Sequence, residues 1–435
     1  MERVKDFFKK GLGFGKRVKI KKDCLLALDI GTEFVKALVF RIERDFFGKQ
    51  EGQGIVIGAG RQRQEFGHMF AGAVADIEGV ALTCQRAIEQ AVKMAGKKPE
   101  KAVVGVAGEF IKGSTTSFVE QRADPEEEID LAELKNIIQK VQWKAFDKVR
   151  KQLAWETCQP EIEIKPINAL ITEIRIDGYQ VTNPLEFQGK ELFLNIFSIY
   201  APLVHLRALE NIVSKLGFEL VSIIAGPHAL TKSSSFNPRT GAIFIDIGGG
   251  TTDIALVRQG RVEGIKSFAL AGRTFTKRLA QALNIGIDEA EEIKVRRTER
   301  QLSQIVQRKI HEILKKDVQI WLNGVELVLE EFDQKEFFPP LILLCGGGSL
   351  LSDIKNILKR ETVQKEWLDK FPFSQVPQVN FIEPDQINNI IDETTILKGP
   401  ENSTPFALAS LGLEITLDER KALLPILRRA VRIMR

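Results

Sequence analysis

Apolar residues gather in short blocks broken by glycine and charge, and the block from Ala242 to Val257, AIFIDIGGGTTDIALV, sets the theme. Ile243, Phe244 and Ile245 predict a buried strand, Ile254 to Val257 a second one returning antiparallel, so all polar groups fall on a hairpin tip. Cys24 to Phe40, CLLALDIGTEFVKALVF, repeats that order, with Asp29, Ile30, Gly31 and Thr32 before a strand from Val35. Leu341 to Leu350, LILLCGGGSL, reads as a strand, a turn of Gly346, Gly347, Gly348 and Ser349, then a helix from about Ser352. Ile55 to Ala59 is a third strand after the first hairpin, with Gly52, Gly54, Gly58 and Gly60 as turn and strand-edge glycines. Val80, Leu82, Ala87, Ile88, Ala91 and Met94 keep helical spacing up to a stop at Gly96.

Residues 101–201 read as a separate α+β module. Strand 102–108 leads into the polar run IKGSTTSFVEQRADPEEE, then a helix from about Leu131 to Gln152. Strands follow near Glu161 to Ile167, Leu170 to Ile176 and Glu191 to Tyr200. A helix from Leu203 to Leu216 stops at Gly217, and a strand from Leu220 to Ile224 enters AGPHAL. Residues 296–338 read as helical and highly charged, residues 361–405 as loop-rich, and FALASLGLEI as a returning helix.

The tips carry the chemistry. Gly248, Gly249 and Gly250 let the backbone bend and aim N–H groups at an anion, while Thr251 and Thr252 add hydroxyl donors. Asp246 beside a phosphate cradle makes sense with a cation between them, and Mg²⁺ is the expected ion. Asp29 repeats that role. Two such hairpins predict similar half-molecules gripping one polyphosphate from both sides. The Gly346 to Ser349 turn lets backbone lie flat against a ring or phosphate.

At 435 residues and 44% apolar composition the chain is long enough for two lobes. A net charge of +4 supplies no field for nucleic acid. Cys24, Cys84, Cys158 and Cys345 lack zinc-site spacing and read as buried, inert thiols. No apolar run reaches the roughly 20 residues of a membrane span.

Phosphate hairpin, second hairpin and late Gly-rich turn, in that order, resemble the actin-like ATPase superfamily. The module between the hairpins, with VVGVAGEFIKG, EIDLAELKNIIQKV and NPLEFQGKELFLNIFSIYAPL, looks like the 1C or SHS2 insertion of the bacterial cell-division ATPase FtsA and its pilus-assembly relative PilM. The resemblance implies an α/β fold of duplicated, ribonuclease-H-like lobes. Its implied parts are a basic segment 1–22, first lobe 23–100, insertion 101–201, first-lobe return 202–238, second lobe 239–265 and 340–385 with subdomain 266–339, first-lobe end 386–415, and a terminal helix 416–435.

The resemblance also implies ATP with Mg²⁺ held by Asp29 and Asp246. Gly31, Thr32 and Gly248 to Thr252 would hold phosphates, and Gly346 to Ser349 would pack on adenosine. SFALAGRTFTKRLAQALNIGIDEAEEIKV matches the family stretch that supplies Gly272, Thr276, Glu291 and Lys294. Glu291 and Lys294 share a helix face and would reach the ribose. Arg278 stands where the family has an acid. No carboxylate occupies Ala225 to His228, where heat-shock relatives keep a water-orienting Glu, so tight binding and slow turnover are expected.

The implied role is a scaffold polymerising with itself on the cytoplasmic, inner face of the membrane and recruiting a tubulin-like FtsZ. The alternatives are a PilM-like partner of pilus inner-membrane proteins and, from another class, a small-molecule kinase, whose catalytic Asp and sugar-binding insertions are not visible. Residues 1–22 carry Val4, Phe7 and Phe8 opposite lysines, and residues 419–435 line Leu423, Leu427, Ala430 and Met434 against arginines. Each segment reads either as an anchor on anionic lipid or as a solvated tail or self-docked helix.

Overall fold

A computed structural model describes residues 24–43, 52–158, 162–299, 301–332 and 336–417, so both terminal segments lie outside it. Two sheets share one kernel. Strand β1 (Cys24–Ile30) pairs antiparallel with β2 (Phe34–Glu43) and parallel with Lys101–Val106. Ala242–Ile247 likewise pairs antiparallel with Thr252–Arg258 and parallel with Leu341–Cys345. Strands covered on both faces read as unbroken apolar runs, which is why these blocks do not alternate. In Ala242–Ile247, Ala242 and Phe244 enter the first-lobe core, while Ile243, Ile245 and Ile247 enter the second.

The first sheet runs Glu219–Ala225, Lys101–Val106, β1, β2, β3 (Gln53–Arg63), Ile390–Asp392. Lys101–Val106, placed with the insertion by its sequence, is therefore an interior strand of the first lobe. The helix Ile77–Ala95 starts at Asp76, whose side chain accepts from the Glu78 N–H, and stops at Gly96 with φ 63°. Gly58 and Gly60 are interior to β3, not at its edge. A Cβ there would lie 2.1 Å from Ala91 O and 1.9 Å from Ala87 O, so bare backbone lets the helix sit flush on the strand.

The insertion differs most from its sequence reading. The polar run 112–121 is a strand, Lys112–Gln121, paired antiparallel with Glu191–Pro202 from Lys112↔Tyr200 to Gln121↔Glu191. Its polarity misleads because only one face is covered, and Thr116 is buried while Ser117 is exposed. Ile164–Ile176 is one strand where two were expected, and the helix Leu131–Thr157 extends beyond Gln152. Gly264↔Ser114 and Ile265↔Gly113 join the insertion to the second lobe, giving a nine-stranded sheet.

Arg278 donates from Nε and one Nη to the two carboxylate oxygens of Asp317 (2.8 and 3.1 Å), tying helix Gly272–Leu283 to helix Gln304–Glu330. Cys84 and Cys345 are buried, but Cys158 is exposed, which corrects its reading as a buried thiol. Among the described residues no helix is long and apolar enough to cross a membrane.

Candidate functional site

Where the lobes meet lies a cavity of about 500 Å³ lined by both hairpin tips. The tips close identically: Gly31 N–H donates to Phe34 O (3.1 Å) and Gly248 N–H to Thr251 O (2.9 Å). Each glycine sits two residues past its aspartate, so Asp29 and Asp246 come to one cavity from opposite lobes. The tips also touch, since a Cβ on Gly249 would meet Glu33 and one on Gly250 would meet Thr32.

Burial pushes the Asp29 carboxyl up to about 6, with Lys36 opposing and Asp246 adding to the rise. Burial also raises Asp246, against a 2.7 Å hydrogen bond from Thr404 Oγ1 and the charge of Lys36. Two desolvated carboxylates that repel each other make a donor set suited to a divalent cation, which would relieve both costs. Gly346 is forced by this packing: at φ 77°, its Cβ would stand 2.2 Å from Asp246 Oδ1.

Gly31, Thr32, Gly248, Gly249, Gly250, Thr251, Gly272, Glu291, Lys294, Gly346, Gly347 and Gly348 all line the cavity. Thr252 and Ser349 do not. Thr252 Oγ1 donates to Leu270 O and accepts from Trp321 Nε1, and Ser349 Oγ donates to Gly346 O; both side chains are fully buried. Glu291 and Lys294 pair at 2.7 Å, and Lys294 Nζ also reaches Gly272 O and Thr276 Oγ1. The N–H groups of Gly272 and Arg273 bond to Gly248 O and Gly249 O, so that helix terminus braces the tip.

The cavity also holds groups the sequence reading left out. Asp253, opposite Asp246 in the hairpin, accepts from Thr251 Oγ1 (3.1 Å) and Ser267 Oγ, and burial pushes it up to about 7. Its place at the end of IDIGGGTTD was the available signal. Glu33 spans the lobes, accepting from Arg63 and Arg273 at 2.6 Å each. Burial raises the Glu33 carboxyl, but the two arginines outweigh it and hold it below the usual range. Thr404, Glu401, Lys36 and Arg61 also line the cavity, and nothing in their sequence surroundings marks them.

Residues 243–407 match the family model described as "Cell division protein FtsA". The chain is 29% identical to the cell division protein FtsA of Pseudomonas aeruginosa over 62% of its own length, and 26% identical to that of Bacillus subtilis over 62%. These matches span 60% and 57% of those relatives' lengths. Among solved structures, the PilM–PilN type IV pilus biogenesis complex contains a chain similar in fold, with TM-score 0.60 and 16% identity, covering 90% of this chain and 98% of that one.

Proposed function

We propose that the chain, similar in sequence to FtsA proteins and in fold to a PilM chain, is an actin-like ATPase of that kind that binds ATP with Mg²⁺ between its lobes and acts as a nucleotide-dependent scaffold of cell division. The observation that carries this reading is the convergence of Asp29 and Asp246, each on its own glycine tip, on one cavity. Asp29 and Asp246 would hold the hydrated cation, which neutralises phosphate charge when bound. Gly31, Thr32 and Gly248 to Thr251 would cradle the phosphates, Glu291 with Lys294 the ribose, and Gly346 to Gly348 the adenosine. The tips orient the polyphosphate and their contact limits water.

Ala225 to His228 carry no carboxylate, and burial pushes His228 down to about 3, which keeps that imidazole neutral. This favours a state set by bound nucleotide over rapid turnover. The chain would polymerise with itself and link an FtsZ-like polymer to anionic lipid on the inner membrane face through residues 1–22 or 419–435. The second reading, a PilM-like role with pilus inner-membrane proteins, is kept by the basic, aromatic character of residues 1–22.

Asp246→Asn should weaken Mg-ATP binding at least tenfold by calorimetry, since a cation ligand and its charge are lost together. Unchanged affinity would defeat the site assignment. Pull-down with FtsZ against pilus inner-membrane peptides separates the two roles, and liposome sedimentation of chains lacking residues 1–20 or 419–435 tests the anchor.

A further inference from the structure

Arg61 is a cavity cation without an assigned task. It stands in a row that crosses the first sheet: Asp29 is paired with Lys36 in register, and Lys36 with Arg61. Residues directly opposite in neighbouring strands share a face, and all three line the cavity. At the usual strand spacing Arg61 lies roughly 10 Å from Asp29 along that row. A guanidinium is thus carried one strand beyond Lys36, on the same wall as the proposed cation ligand.

Most of the cavity's other cations have partners, Lys398 at its exposed edge being an exception. Lys36 is bonded to Glu401 O, Arg273 to Glu33, and Lys294 to Glu291. Arg61 forms no ion pair among the described residues, although Glu33, Glu291 and Glu401 line the same cavity. Burial lowers its pKa despite the attraction of those three carboxylates. The guanidinium face lies 3.7 Å from the centroid of the Phe34 ring. Stacking holds the face and leaves the N–H donors in the plane of the group uncommitted. A planar fork of charged donors matches two oxygens of one phosphate.

We propose that Arg61 is a phosphate-contacting residue of this cavity, binding the polyphosphate chain of the nucleotide from the first-lobe wall. The proposal rests on the nucleotide reading above and adds a residue to it. Arg61 selects for the phosphorylated ligand and is indifferent to the nucleoside.

The test is calorimetry of the full chain with Mg-ATP, Mg-ADP and adenosine, for native protein, Arg61→Ala and Arg61→Lys. Loss of a charge-assisted contact should weaken both nucleotides about tenfold or more in Arg61→Ala, with adenosine unchanged and Arg61→Lys in between. Ligand-free melting temperatures should differ only slightly, because the stack on Phe34 is lost but no ion pair is broken. Unchanged ATP and ADP affinity in Arg61→Ala, with tight native binding, overturns this proposal alone. An equal loss for adenosine overturns the phosphate assignment. Failure of the native chain to bind either nucleotide overturns this proposal and the reading beneath it together.

Discussion

Asp253 joins two properties that water would keep apart: it is buried, and it faces another carboxylate, Asp246, across the hairpin. Its folded pKa of about 7 stands above the ordinary 3.8, so across that interval the folded chain holds a proton the unfolded chain has lost. Stability from this group therefore falls as pH rises through that window and is recovered as pH drops from 8. His205 and His228, held down by burial to about 4 and about 3, act oppositely as pH falls toward 6.5, where their unfolded imidazoles are half protonated, so only the difference between native chain and Asp253→Asn isolates this group. From pH 8 to 6.5, the stability difference between native chain and Asp253→Asn, by urea denaturation in chelator, should move in favour of the native chain by about 1 kcal/mol. A difference between native chain and Asp253→Asn that does not change with pH would show that Asp253 is ionised throughout. Thr251 and Thr252 teach the same lesson in geometry. Successive residues entering a strand point to opposite sides, so one hydroxyl lines the cavity and the other is used up on Leu270 and Trp321.

Elements were legible where both periodicity and punctuation were present. Asp76 and Gly96 bracket a helix whose buried positions repeat at helical spacing. The strand Lys112–Gln121 was illegible because its neighbours, not its composition, make it a strand. Gly58 and Gly60 carry a consequence at this scale. Gly60→Ala would drive a methyl group into the Ala87 carbonyl, and the helix Ile77–Ala95 must shift off β3 to admit it. A loss of about 2 kcal/mol or more is expected by denaturant titration, as for other overpacked cores. A neutral result would mean the helix rides free of the strand. The helix Ser403–Leu417 is buried along Ser403 to Leu413 and brings Thr404 to Asp246 from far along the chain.

At the scale of the molecule the lobes are held together beside the cavity by charge. Glu33 accepts from Arg273 of the second lobe, whose guanidinium also reaches the Phe66 and Met69 carbonyls, and Arg63 reaches Asp288 at 3.0 Å. Glu33 and Arg273 are each 12% exposed at the side chain, so screening weakens this pair less than a surface pair. Glu33→Gln should therefore speed nucleotide release about tenfold in stopped-flow displacement. An unchanged release rate would show that the lobes part without breaking this contact. The second-lobe hairpin, the late glycine turn and the start of the returning helix fall within the matched family segment, and the first hairpin lies upstream of it.

Local chemistry was written in the chain. Asp-Ile-Gly after a buried strand, twice, prescribes two turns with a carboxylate and a bent backbone, and a residue's neighbours in sequence suffice to make such a turn. Which atoms then share the space between those turns was settled by strand register and lobe packing. Lys36 and Arg61 became neighbours of Asp29 through pairing across the sheet. Thr404 reached Asp246, and Glu33 reached Arg273, only once distant elements were docked. Contacts between residues hundreds of positions apart leave no spacing to read, because the fold and not the chain sets their distance.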